Sequence, residues 1–297
     1  MFAIARRTAG LRPRLLRPSV VLLWVALSVA ASACGPSQPV LLRLMEARRL
    51  AAVLHTSFTR ANEASERAVL ADTDDVSAAA AREAAEATAA AGRTLSELEA
   101  LVQTLGYSGE VETLKTFRGR FDEFQKLDGE ILALAVENTN LKAQRLSFGA
   151  ARELGEQIAT ELAPLRAAQA GEQAAPAEAI RANVFALLFL QARHNAEAQD
   201  AEMSRLEAQA NALIVETRVR FTELSGKGNA AQVLAAVSLF NRLVATHDEV
   251  IALSRRNTNV RSLALTLGRK RVVVADCEAE LAALQQALAG HGSQATR

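Results

Sequence analysis

The tripeptide Asn-Thr-Asn occurs twice, as Asn138-Thr139-Asn140 and as Asn257-Thr258-Asn259, and each copy is followed two residues on by a cation, Lys142 or Arg261. Side-chain amides donate and accept at once, and a neighbouring ammonium or guanidinium adds charge. Asn138, Asn140, Lys142, Asn257, Asn259 and Arg261 therefore have the chemistry to hold a small carboxylate. Two plainer uses stand beside that one. On a buried stripe the amides form a polar layer that fixes helix register, and on a surface they meet a partner.

Other chemistry finds little support. His55, His194, His247 and His291 are scattered, without the second histidine one helical turn away that a metal site would use. No Gly-rich phosphate loop, nucleophile elbow or haem-attachment motif occurs. Acidic residues are abundant, as expected of the solvated face of long helices. Cys277 sits among Val272, Val273, Val274 and Leu281 and reads as a small buried residue. These observations point to a chain that is not an enzyme and that needs no cofactor or metal.

Cys34 is a different case. Arg6, Arg7, Arg12, Arg14 and Arg17 precede an apolar run, Val20 to Ala30, and then Ala31-Ser32-Ala33-Cys34-Gly35. The run is shorter than the roughly 20 residues that span a bilayer, so residues 1–33 read as a signal peptide. Small residues followed by cysteine resemble the lipobox of bacterial lipoproteins, although Ala31 stands where leucine is usual. Cys34 is then the lipidation site and 34–39 a tether, which places the protein on the periplasmic face of a bacterial cell envelope. Simple secretion into the periplasm and an uncleaved anchor are the alternatives. The arginines of the leader account for the net charge of +1; without them the chain is mildly acidic, which argues against a nucleic-acid partner.

The elements that carry these residues are helices. Ala, Leu, Glu and Arg dominate, with six prolines in 297 residues. Apolar periodicity predicts helices over about 40–70, from the Asp72-Thr73-Asp74-Asp75 break to Leu105, 110–168, Pro176 to Leu224 and 229–289, with a polar tail at 290–297. Ser108 is the expected cap of the third and Pro176 the first helical position of the fourth. Leu114, Phe117, Phe121, Phe124, Ile131, Leu134, Leu141 and Phe148 recur at threes and fours as one buried stripe. If the first two segments run on in one direction, the legs close as an elongated up-down-up-down four-helix bundle over 40–289, a rod of about 90 Å. In it Asn138 and Asn257 face one another from diagonal legs.

An internal repeat is the most specific feature. Glu130 to Ala143 returns as Glu249 to Ser262 at a constant offset of 257 − 138 = 119, which also maps Phe121 on Phe240, Leu146 on Leu265 and Gly149 on Gly268. Two hairpins, 40–170 and 176–289, are expected to pack on each other or on another chain. The stretch from Glu130 to Gly149 resembles the four-helix-bundle sensor domains of methyl-accepting chemotaxis receptors. The duplicated form is similar to their helical bimodular variant, with two bundles stacked on shared long helices. That resemblance implies recognition of a small organic acid, an amino acid or a binding protein, and a transmembrane receptor or sensor kinase as partner, with a homodimer also open. The chain lacks the family's second membrane helix and cytoplasmic coiled coil. A scaffolding lipoprotein without a ligand is the competing expectation.

Overall fold

Thr73 sets the first turn of the chain. Its hydroxyl accepts from the Val76 N–H at 3.3 Å, Asp74 and Asp75 follow, and a helix restarts there because the cap satisfies an N–H group that a helix start leaves free. The computed structural model describes residues 40–167, 172–225 and 230–294. Over these residues it is all-helical, with no strand. The leader, Cys34, the tether and the turn at Gly226-Lys227-Gly228 lie outside the described residues, as do 168–171 and 295–297.

The break redirects the chain, which corrects the expectation of one continuous first leg. α1 (Val40–Val69) and α2 (Asp74–Leu105) fold back into a hairpin and pack along their length. Both present alanines to the shared core, Ala47, Ala51 and Ala61 on one side and Ala87 and Ala91 on the other, and such small side chains allow close approach. Glu83 of α2 takes hydrogen bonds from both Arg60 and Arg67 of α1. Gly106, at φ +73°, then ends α2 in a left-handed turn that its lack of Cβ permits. Tyr107 rather than Ser108 occupies the next cap position, without a side-chain cap bond, and α3 spans Ser108–Glu137.

From there the chain runs through α4 (Thr139–Leu146), a π-helical turn (Ser147–Ala151) and α5 (Arg152–Ala167), a path of about 90 Å as helix. α6 (Ala174–Ala196) and α7 (Asp200–Leu224) form a second hairpin. Pro176 is the third residue of α6 rather than the first, still within the turn whose N–H groups need no helical partner. α8 (Ala230–Arg256), α9 (Thr258–Leu265), a second π-turn (Thr266–Lys270) and α10 (Arg271–Gln294) complete the chain. The last helix thus continues to Gln294, into the segment expected as a polar tail.

Two four-helix cores result, in place of one long bundle. α1, α2, α3 and α10 enclose the first, where Phe58, Phe117, Phe121 and Phe124 meet with ring centroids 5.0 to 6.3 Å apart. α5, α6, α7 and α8 enclose the second, around Ile158, Leu187, Ile214, Phe221 and Phe240. Each repeat contributes a hairpin and the first part of a long helix to one core and the end of that long helix to the other. The repeats exchange their last helices. The two long helices lie against each other within each core rather than diagonally. Arg48 of α1 donates to the Leu288 and Ala289 carbonyls of α10, so the start of α1 and the end of α10 share one end of the molecule, as an even number of legs requires.

Glycines test the packing. Gly119 and Gly129 face open space in α3, so Gly119→Ala and Gly129→Ala should each raise stability by ~0.5–1 kcal/mol in urea unfolding. A Cβ at Gly155 would meet Leu188 Cδ1 at 3.0 Å and Val184 Cγ1 at 3.3 Å, so Gly155→Ala should gain nothing or destabilise. Equal gains at all three would contradict the approach of α5 to α6.

Candidate functional site at the waist

The repeated Asn-Thr-Asn lies where the two cores meet, and it breaks the long helices instead of lying within them. Asn138 (φ 50°, ψ 39°) and Asn257 (φ 53°, ψ 36°) are left-handed, a conformation that asparagine tolerates better than most residues. The helix restarts at Thr139 and at Thr258, so the first N–H groups of α4 and α9 have no partner in their own helix. The other repeat supplies the partners. Thr139 N–H donates to Thr258 Oγ1 at 3.1 Å and Thr258 N–H to Thr139 Oγ1 at 3.2 Å. Asn140 N–H donates to Asn259 Oδ1 and Asn259 N–H to Asn140 Oδ1, both at 3.2 Å. Each segment caps the other's helix through residues 119 apart.

The amides complete the clasp in crossed register. Asn140 Nδ2 donates to Asn257 Oδ1 and Asn259 Nδ2 to Asn138 Oδ1, both at 2.8 Å, so Asn138 and Asn257 do not face one another as expected. The α6 end is tied in as well. Asn257 Nδ2 donates to the Glu197 carbonyl, and Asn140 and Asn195 exchange side-chain-to-carbonyl bonds. Asn138 Nδ2 is buried without an acceptor among the described residues. Lys142 Nζ caps the end of α3 through the Glu137 carbonyl at 2.9 Å, and Arg261 is exposed. Of the six sequence-predicted residues, the four asparagines bond one another, while Lys142 is bonded at the Glu137 carbonyl instead and Arg261 is exposed.

The π-turns lie just beyond, again 119 residues apart. The extra residue of each turn shifts the helix phase, which carries Phe148 out of the expected buried stripe to an exposed position. Here the halves differ. In the first core Lys270, 1% exposed, donates to Asp128 Oδ1 at 2.7 Å and to Ser65 Oγ at 2.6 Å and stands over the Phe124 ring. The repeat offset pairs Lys270 with Ala151 and Asp128 with His247, so the second core has Gln191 donating to His247 Nδ1 at 3.1 Å, with Ser147 behind it. Sequence reasoning missed this buried ion pair. No repeat signal singled it out, because positions 122–129 and 241–248 differ throughout and 150–151 and 269–270 differ as well.

One further polar chain ties α6 to α7 and α8. His194 Nδ1 lies 2.8 Å from Ser254 Oγ, and His194 Nε2 lies 2.9 Å from Glu207 Oε1, whose carboxylate the Arg255 guanidinium holds below its ordinary range. The atoms follow a serine–histidine–carboxylate order, but Ser254 is fully buried and within bonding distance of the His194 carbonyl, 3.1 Å away. Cys277 is buried as expected, and desolvation pushes its thiol up to about 12, which leaves it a poor nucleophile. Among the described residues, no three of His, Cys, Asp and Glu converge as a metal site, and no helix is long and apolar enough to cross a membrane. No protein-family model matches the chain, and no curated protein and no solved structure matches it either.

Two predictions follow from this geometry. Leucine at either clasp asparagine strains a left-handed position, at ~1–2 kcal/mol, and orphans a buried amide, at ~1–3 kcal/mol. Asn138→Leu with Asn257→Leu should therefore be strongly destabilising, and Asn138→Gly milder than Asn138→Ala, as read by denaturant midpoints. Tolerance of the double leucine change would rule out the clasp. The second concerns His247, which burial pushes below its ordinary 6.5, helped by His194 and opposed by Asp248 and Glu207. The unfolded chain protonates first, so this contribution is whole above 6.5 and declines as pH falls below it. His247→Gln should flatten the melting temperature against pH over that acidic window.

Proposed function

We propose that the chain is a non-enzymatic, extracytoplasmic helical module of the sensor type, tethered to a membrane through Cys34, that binds a small ligand and presents the result to a transmembrane receptor or kinase. The observation that carries this reading is a groove of about 280 Å³ beside the second π-turn. Val69 of α1, Leu70 in the turn after it, Leu263 of α9, Leu267 of the π-turn and Val274 of α10 supply apolar walls. Asn62, Glu66 and Arg271 supply polar groups, and Asn62 Oδ1 is buried without a donor among the described residues. A mostly apolar recess with a few polar groups suits a small molecule, and the volume suits an organic acid or an amino acid.

The groove replaces the Asn-Thr-Asn layer as the ligand site, since every amide group of the clasp except Asn138 Nδ2 is bonded within the protein. Two cores stacked on shared long helices are also the arrangement that the resemblance to helical bimodular sensor domains implies. The clasp at the same time favours a second reading, a spacer or scaffolding lipoprotein, because a polar layer that bonds every amide group but Asn138 Nδ2 within the protein fixes register without needing a ligand.

A thermal-shift screen with organic acids and amino acids separates the two. A ligand at a hundred times its dissociation constant should stabilise the fold by ~2.7 kcal/mol, and Leu267→Trp, which fills the groove, should abolish that shift while leaving helicity intact. No shift with any compound, together with an unchanged melting temperature for Leu267→Trp, would leave the spacer reading.

A further inference from the structure

The first two turns of α1 carry apolar side chains that the first core does not use. The core face of α1 is Leu44, Ala47, Leu50, Ala51, Leu54 and Phe58. Off that face, Leu41 is 52% exposed, Leu42 53% and Met45 58%, and Val40, one turn before Leu44 on the core side, is 63% exposed at the open end of the helix. Scattered exposed leucines are ordinary on a protein surface, whereas Leu41, Leu42 and Met45 share one side of the helix as a patch, with Val40 exposed at its end.

Its place in the fold is informative. The end of α10 lies beside α1 through the bonds of Arg48 to Leu288 and Ala289. The same end is closed by Tyr107 stacked on His291 at 3.9 Å, with His291 bonded to Glu110. The patch therefore sits at the outer end of the first core, and Cys34 precedes Val40 in the chain by six residues. Arg43, Arg48 and Arg49 stand among these residues against the single acid Glu46, which is bonded to Arg49. Apolar side chains interleaved with arginines are the composition of a helix that enters the interfacial layer of a bilayer while its cations meet phosphate. A second copy of the chain fits less well, because four side chains at a helix end fall far short of the area that a stable dimer buries.

We infer that the start of α1 is a lipid-seating surface: Val40, Leu41, Leu42 and Met45 enter an anionic phospholipid interface, and Arg43 and Arg49 contact its headgroups. The first core then rests on the membrane and the second points away from it. The inference rests on the reading of Cys34 as the anchor that brings this end to a bilayer.

The test removes the acyl group so that the surface is measured alone. The exported, leader-cleaved protein carrying Cys34→Ser is sedimented with vesicles of equal parts phosphatidylethanolamine and phosphatidylglycerol, and with phosphatidylcholine vesicles. It should bind the anionic vesicles, and the Leu41→Ser, Leu42→Ser, Met45→Ser triple variant should bind them ~10-fold more weakly or worse, with helicity and melting temperature unchanged because the positions are exposed. Arg43→Glu with Arg49→Glu should lose the preference for anionic over neutral vesicles. Equal binding by the triple variant, no binding by the parent, or loss of self-association in place of vesicle binding would each overturn the inference. Incorporation of labelled fatty acid at Cys34, measured separately in cells, reports on the anchor itself, so the two failures remain distinguishable.

Discussion

A helix that restarts within a protein interior exposes N–H groups that must be bonded, since each one left bare costs ~1–3 kcal/mol. Here two helices restart side by side, at Thr139 and Thr258, and each supplies the acceptors the other lacks. Neither repeat could break its long helix at that point alone. The left-handed asparagines, the two exchanged last helices and the stacking of two cores all depend on this mutual capping, because it holds α4 against α8 and α9 against α3.

The exchange explains why a duplicated sequence makes one molecule rather than two modules. Each hairpin, α1 with α2 or α6 with α7, buries its apolar face only when the end of the other repeat's long helix closes the fourth side. Near-symmetry at the waist then leaves room for divergence outside it. Lys270 and Asp128 form a buried ion pair in the first core, where the second has Ala151 and His247. A buried pair of this kind is weak evidence for stability as such, and the groove beside it is confined to that half.

The helical class, the repeat and the importance of Asn138 and Asn257 were legible because each rests on local pattern: period, offset and residue type. The direction taken at Thr73 was not. A capped break is compatible with a helix that continues and with one that folds back, and the choice falls to the alanine faces of α1 and α2, which meet only in three dimensions. Asn138 was placed on the apolar stripe of an unbroken helix because its spacing from Ile131 and Leu134 allows it; the left-handed state becomes favourable only once Asn259 and Thr258 are alongside. Phe148 was misplaced for a related reason, since a π-turn inserts a residue that periodicity cannot anticipate. The ion pair of Lys270 with Asp128 spans 142 residues and lies where the repeats differ at many neighbouring positions, so no local pattern marks it.

Native-state hydrogen exchange at the backbone of Thr139, Asn140, Thr258 and Asn259 tests the mutual capping most directly. N–H groups at an ordinary helix start exchange through local fraying, whereas those bonded across the waist exchange only when the two cores separate. The account predicts that these four amides exchange as slowly as amides in the middle of α3 and α8. Exchange at the rate of a free helix terminus would contradict it.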